Sequence, residues 1–175
     1  VKLHEHFRHC PRCGGGLDLG QSPPLTCGSC GFTFYFNPAV ATVALVERED
    51  GKLLLVRRAR DPHRGTLSLP GGFVEFGETA EGGLQREVFE EVGLQVESVE
   101  FFCSLPNEYH FKEVTYQVLD FFFLVKVRSA QTVAEAGEIA DLFWCAPGEI
   151  DLGEIAFPSV AEALRRFRDA RGRDG

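Results

Sequence analysis

Three glutamates, Glu87, Glu90 and Glu91, stand at i, i+3 and i+4 in a stretch with helical periodicity. That spacing sets their carboxylates on one helix face. Like charges so placed cost about 0.2–0.5 kcal/mol per pair, a repulsion that a nearby cation relieves. Arg86, four residues before Glu90, supplies part of that charge. A hard divalent cation supplies more: Mg²⁺ takes one or two carboxylates, keeps several waters and completes its shell with substrate phosphates. Gly71 and Gly72 precede the helix, and the carbonyl of either could approach such a cation closely. A solvated acidic face remains the alternative for the glutamates alone. The elements that must position them are legible. The spacing predicts a helix over 79–92, with Thr79 as N-cap, Gly93 as C-cap, and Leu84, Val88 and Val92 as the buried stripe. Gly82 and Gly83 each cost about 1 kcal/mol relative to Ala inside a helix. Close packing of the helix on a sheet is the expectation that explains them.

A second constellation lies near the beginning of the sequence. Cys10-Pro11-Arg12-Cys13 and Cys27-Gly28-Ser29-Cys30 are two C-x2-C knuckles separated by thirteen residues. Gly14, Gly15, Gly16 and Gly31 follow the knuckles, where tight turns aim backbone N–H groups at sulfur. The pattern resembles a zinc ribbon, a closed site in which four thiolates hold structural Zn²⁺. Two disulfides or a redox pair are the alternatives. His4, Glu5, His6, Arg8 and His9 interrupt any apolar run of a secretory signal, so a cytoplasmic chain with reduced thiols is expected, which favours metal. Cys103 and Cys145 sit in apolar, strand-like runs and read as core residues.

The chain of 175 residues can hold one ordinary domain and a small metal-stapled module. No apolar run has the length of a membrane span. A net charge of −8 argues against non-specific nucleic-acid binding. Asn37-Pro38 marks a boundary, giving an expected ribbon over 1–36 and a larger domain over 37–175. Strands are expected at Ala39–Glu47, Lys52–Arg58, Leu67–Leu69, near 95–104, at 114–127 and at Leu142–Cys145, with Phe73–Phe76 extended. Phe121-Phe122-Phe123 is too apolar for a half-exposed strand and predicts a central one. Pro158–Arg168 predicts an amphipathic helix with Val160, Ala163, Leu164 and Phe167 inward. Strands flanked by helices suit an α/β/α sandwich.

The run GFVEFGETAEGGLQREVFEEVGL, Gly72 to Leu94, fits G-x5-E-x7-R-E-U-x-E-E-x-G-U at every defining position, U being aliphatic. On these residues the chain resembles a Nudix hydrolase. LLLVRRARDPHRGTLSLPGG also looks like the strand–loop–strand that leads into such boxes, with Leu67 where an aromatic is usual. The resemblance implies an α/β/α sandwich with a mixed sheet, preceded here by the small zinc-ribbon β module. It implies Mg²⁺ (or Mn²⁺)-dependent hydrolysis of a nucleoside diphosphate linked to another moiety. Glu90 and Glu91 would be the leading metal ligands, with Glu87 a third ligand or part of the base network. Arg86 would orient these carboxylates, and Glu78 would hold the loop–helix geometry. Many family members recruit a further acid from a distal loop. Glu138 is the candidate, with Glu135 second, against the alternative of an exposed loop acid.

A ribbon joined through YFNPAV to such a domain resembles a subgroup acting on ADP-ribose, FAD and similar dinucleotides. NADH pyrophosphatases also carry a ribbon but follow the box with an S-Q-P-W run; here Ser104-Leu105-Pro106-Asn107-Glu108-Tyr109 stands instead. A pocket is expected between the box helix and a loop Leu105–Phe111, with Tyr109 or Phe111 stacking on a base; strand packing is their alternative. Nucleoside triphosphate hydrolysis, NADH hydrolysis, and a ligand- or RNA-binding Nudix-fold protein are the competing functions. Phe32, Phe34, Tyr35 and Phe36 could be stacking platforms for nucleic acid, but their few basic neighbours favour packing. The expected partner is thus a small nucleotide, not a membrane or nucleic acid, with a homodimer implied by analogy.

Overall fold

The structure, a computed structural model, describes residues 1–18, 20–135 and 137–172. The last three residues of the expected second domain therefore lie outside the described residues. The chain divides into two compact units. One comprises Val1–Pro38 with Glu108–Gln117; the other comprises Ala39–Asn107 and the chain from Val118 onward.

In the first unit, β1 (Leu25–Thr26) and β2 (Thr33–Phe34) form an antiparallel hairpin in the register Leu25↔Phe34. Phe7, Phe34 and Phe36 cluster about it. The Phe7 and Phe34 rings lie 5.2 Å apart, Phe7 and Phe36 5.0 Å, and Phe34 and Phe36 4.6 Å. Most of the aromatic tract is thus spent on packing, and Tyr35 alone in it is strongly exposed.

In the second unit, β3 (Ala39–Val46), β6 (Gly71–Phe73), β7 (Val96–Phe111) and β8 (Val114–Val127) make a four-stranded sheet ordered β6-β3-β8-β7. The ends of β7 and β8 run on into the first unit. The sheet is mixed: β3 runs parallel to β8 and antiparallel to β6. A second, three-stranded sheet is ordered β5-β4-β9, from β4 (Leu53–Arg58), β5 (Leu67–Ser68) and β9 (Ile139–Cys145). β8 is flanked on both sides, so Phe122 and Phe123 are buried, as the apolar run predicts.

Two helices, α1 (Ala80–Val92) and α2 (Pro158–Arg171), complete the unit. Side chains alternate across a strand, and the sheet uses both faces. Leu84, Val88 and Val92 of α1 pack with Ala44, Val46 and Phe123. Adjacent positions turn the other way. Asp120 of β8 meets Ser159 of α2, and Phe102 of β7 meets Phe167 of α2 at 6.3 Å. The sandwich expected from the sequence is therefore present, with α1 and α2 on opposite faces. Val160, Ala163, Leu164 and Phe167 are buried as expected.

Three local expectations need correction. The stretch Leu105–Phe111 is strand, not loop, because β7 continues unbroken to Phe111. Pro106 is tolerated there because β7 is an edge strand. The strand before the box ends at Phe73, and Phe76 is fully exposed. Gly83 does not rest on the sheet: a Cβ there would meet Val74 and the Glu78 carboxylate at 3.1–3.4 Å, so the box loop needs the space. No helix among the described residues is long and apolar enough to cross a membrane, which says nothing of strands.

Candidate functional site

The site is built on α1. Thr79 caps it, its side chain accepting from Gly82 N at 3.1 Å, and Gly93 ends it in the left-handed region at φ 70°. Both ends follow from local sequence. With the stripe fixed inward, Arg86, Glu87, Glu90 and Glu91 fall on the sides and outer face. Arg86 gathers the acids. Its Nε donates to Glu78 Oε1 at 2.8 Å and its Nη1 to Glu87 Oε1 at 2.7 Å and Glu90 Oε2 at 3.1 Å. It also donates to the Phe73 carbonyl at 3.0 Å, so one guanidinium pins β6 and the loop to the helix. Glu78 accepts from Glu75 N at 2.9 Å as well. These bonds hold the Glu78 carboxyl down at about 2, the Arg86 pair being the larger cause.

Glu91 sits differently. Arg86 does not reach it; its carboxylate accepts from Gly71 N at 2.9 Å. Burial pushes the Glu91 carboxyl up to about 8, with the charges of Glu87 and Glu138 adding to the effect. Burial likewise raises Glu87, against the pull of Arg86. Glu90 is exposed. Gly72 lies against Glu87 so tightly that a Cβ would stand 2.5 Å from its Cδ. Gly72 pairs with Thr42 across the sheet, and the Thr42 hydroxyl is buried with no hydrogen-bond partner.

These residues fit a hard cation. Three carboxylates share one side of α1, two of them raised by burial, with glycine backbone pressed against them and an orphaned hydroxyl nearby.

The distal acids come from the segment before β9. Glu135 N donates to the Glu91 carbonyl at 2.9 Å, and Glu138 N to Glu135 Oε2 at 2.7 Å. Glu138 is ion-paired with Arg60. Its charge is felt at both Glu87 and Glu91, whereas Glu135 serves as an acceptor for its own loop. Sequence reasoning missed Arg58 and Arg60. Arg58 donates to the Pro62 carbonyl at 2.9 Å, lies over the Phe157 ring, and lowers the Glu91 pKa electrostatically. The signal was the arginine run RRAR closing β4. Tyr109 and Phe111 stack on each other with centroids 6.4 Å apart, and both belong to the first compact unit.

That unit also holds the cysteines. The sulfurs of Cys10, Cys13, Cys27 and Cys30 all lie within 4.8 Å of one another. Cys10 and Cys30 are 3.8 Å apart, Cys13 and Cys27 3.7 Å. A tetrahedron with a metal–sulfur distance of about 2.3 Å has edges of about 3.8 Å, so the cluster fits zinc. Backbone N–H groups of Cys30 and Ser29 pull Cys27 down to about 6. The N–H of Gly15 acts the same way on Cys13, but contacts with Cys30 and Cys27 outweigh it and raise that thiol to about 12. One of four adjacent thiols thus yields its proton readily and another resists, as expected when thiolates crowd together. Cys103 and Cys145, expected in the core, are only half-buried and lie outside the cluster.

The chain is 48% identical over 63 residues to a protein named ADP-ribose pyrophosphatase from Methanocaldococcus jannaschii, covering 36% of this chain and 37% of that one. It is 29% identical over 172 residues to the NAD-capped RNA hydrolase NudC of Vibrio vulnificus, covering 95% and 62%. The chain thus spans less than two thirds of the length of these curated relatives. Among solved structures, a NUDIX hydrolase from Nitrosomonas europaea superposes with a TM-score of 0.71 at 27% identity, over 95% of this chain and 93% of that one. The family model for the NUDIX domain matches residues 37–167, a span that contains the glycine turn, Arg86, the four box glutamates and Glu138. With the signature complete, Arg86 linking Glu78, Glu87 and Glu90 along α1, and the family match running through both sheets, the chain belongs to the Nudix family.

Proposed function

We propose that this chain is a Mg²⁺ (or Mn²⁺)-dependent pyrophosphohydrolase that cleaves a nucleoside diphosphate linked to a second moiety, such as ADP-ribose or FAD. The observation that carries the reading is the Glu91 carboxyl, buried against Gly71 N and facing the Glu87 and Glu138 charges. Glu87, Glu90, Glu91 and the carbonyl of Gly71 or Gly72 would hold the metal. When bound, it supplies charge neutralisation on the diphosphate and an acidified water. Arg86 keeps Glu87 and Glu90 oriented, and Glu78 locks the loop to the helix. Glu138 accepts the proton of the attacking water. That water oxygen bonds to one phosphorus as the bridging P–O bond breaks, giving a nucleoside monophosphate and a phosphorylated second moiety.

The similarity to NudC over nearly the whole chain favours a second reading, the NAD-capped end of RNA. The departure from S-Q-P-W at 104–109 argues that NADH itself is not preferred. Four thiolates in the first unit would hold a structural Zn²⁺. A cytoplasmic homodimer is the expected working form, which gel filtration with light scattering would check. The deciding experiment is a substrate panel with Mg²⁺: ADP-ribose, FAD, NADH, NAD-capped RNA and nucleoside triphosphates, with products separated chromatographically. AMP and ribose 5-phosphate from ADP-ribose are expected. Preference for a triphosphate with release of pyrophosphate would overturn the assignment.

A further inference from the structure

Arg60 is not used by the chemistry above, yet it holds the distal acid. Its guanidinium pairs with the Glu138 carboxylate across 78 residues of sequence. The backbone beside it is tied at the same place: Ala59 N donates to the Glu138 carbonyl at 2.8 Å. Glu138 N in turn bonds Glu135 Oε2, and Glu135 N reaches the Glu91 carbonyl at the end of α1. The β4–β9 register shifts between Arg57 and Arg58, where this loop leaves the sheet. Gly137 makes room for the contact, since a Cβ there would come within 2.6 Å of Arg60 Nη2. Both partners are about half exposed, and exposed pairs contribute little to stability. Geometry that is held from three directions at little energetic gain points to placement.

We propose that Arg60 is a positioning residue that fixes the Glu138 carboxylate for proton transfer at the α1 site. The proposal rests on Glu138 serving the reaction as assigned above. Free of Arg60, that carboxylate would swing on an exposed segment, and misplacement by an ångström is enough to cost rate.

The test is steady-state kinetics on the 175-residue chain with ADP-ribose and Mg²⁺. Arg60→Ala should lower kcat by about ten- to a hundredfold with KM nearly unchanged. Arg60→Lys should restore part of the loss. Gly137→Ala, which keeps every charge but displaces the guanidinium, should lower kcat in the same direction. Adding Arg60→Ala to Glu138→Gln should cost nothing further. A wild-type kcat in Arg60→Ala overturns the proposal. So does a rise in KM alone, which would make Arg60 a substrate-phosphate ligand, and so do losses that multiply in the double variant. If Glu138→Gln retains wild-type kcat, the pyrophosphohydrolase reading stands and this inference falls. If the wild-type protein turns over no substrate of the panel, both fall, because Glu138 then has no reaction to serve.

Discussion

Gly72 and Glu87 show how little room the site leaves. Gly72→Ala would bring a methyl group to 2.5 Å from the Glu87 Cδ, so the carboxylate must move. Turnover should drop by roughly a hundredfold while the far-ultraviolet circular dichroism stays native; undiminished turnover would show that Glu87 has no fixed task. Glu91→Gln keeps the shape and the Gly71 contact but cannot ionise to ligate a cation. Turnover should fall by about two orders of magnitude or more with folding intact. Near-normal Mg²⁺-dependent activity in that variant would sink the assignment of α1 as the metal-binding element. Asp120 offers a test away from the site. It is almost fully buried and accepts from Ser159 Oγ at 2.6 Å. Burial raises its carboxyl above the ordinary 3.8, although the bonds from Ser159 and Asn107 pull the other way. Its contribution to stability is therefore fully present below the unfolded value and is lost as pH rises through the folded one. Asp120→Asn should match the wild type near pH 3.5, gain on it as pH rises through that window, and then level off. The gain would appear as a rise in Tm of the variant over the wild type that is absent at the lower pH. A difference that does not change with pH would mean the carboxyl titrates normally.

At the scale of elements, α1 was the most legible part of the molecule. Thr79, Gly93 and the stripe Leu84, Val88 and Val92 lie where the sequence predicts, because caps and periodicity are local. Thr79→Ala should cost about 1 kcal/mol in chemical denaturation. Gly93→Ala should cost at least about 1 kcal/mol, since φ is 70° and a Cβ would also stand 3.2 Å from Val133. A neutral outcome for both would mean that α1 is held by packing alone. What the sequence hid were contacts between distant residues. Arg60 and Glu138 meet only because β4 and β9 are neighbours, and nothing local announces that pairing. The strand through Leu105–Phe111 was masked by Pro106, which reads as a breaker until β7 is known to be an edge. Close packing does explain Gly83, but against Val74 and Glu78, because the box loop folds back onto its own helix.

At the scale of the whole molecule, the cysteines make a separable prediction. Protein purified without added zinc should carry about one Zn²⁺ per chain, by elemental analysis, and Cys27→Ser should lower that content. Four cysteines found in disulfides, with no zinc, would end the zinc reading. Chelation should loosen the first unit, seen as faster amide exchange at Leu25–Phe34, while the α1 amides keep their protection. Equal loosening of α1 would mean that the two units do not hold their stability separately.

The partition of the chain between those units has a consequence for anyone cutting the gene. The backbone passes between them at 38/39, at 107/108 and again at 117/118. At the start of β8, Thr115 N donates to the Val1 carbonyl at 2.9 Å, and Lys2 forms a parallel bridge with Thr115. The cysteine module is therefore no detachable cassette. A clone that begins at Ala39 sheds the cysteines but keeps Glu108–Gln117, a ribbon of backbone stripped of the chain it was knitted to. Grafting the module elsewhere has the mirror-image defect, because a donor fragment of residues 1–38 lacks its second piece, Glu108–Gln117. A clean exchange between relatives would have to carry both segments at once, with three junctions in one chain, which makes this a poor unit for shuffling and a good one for staying together.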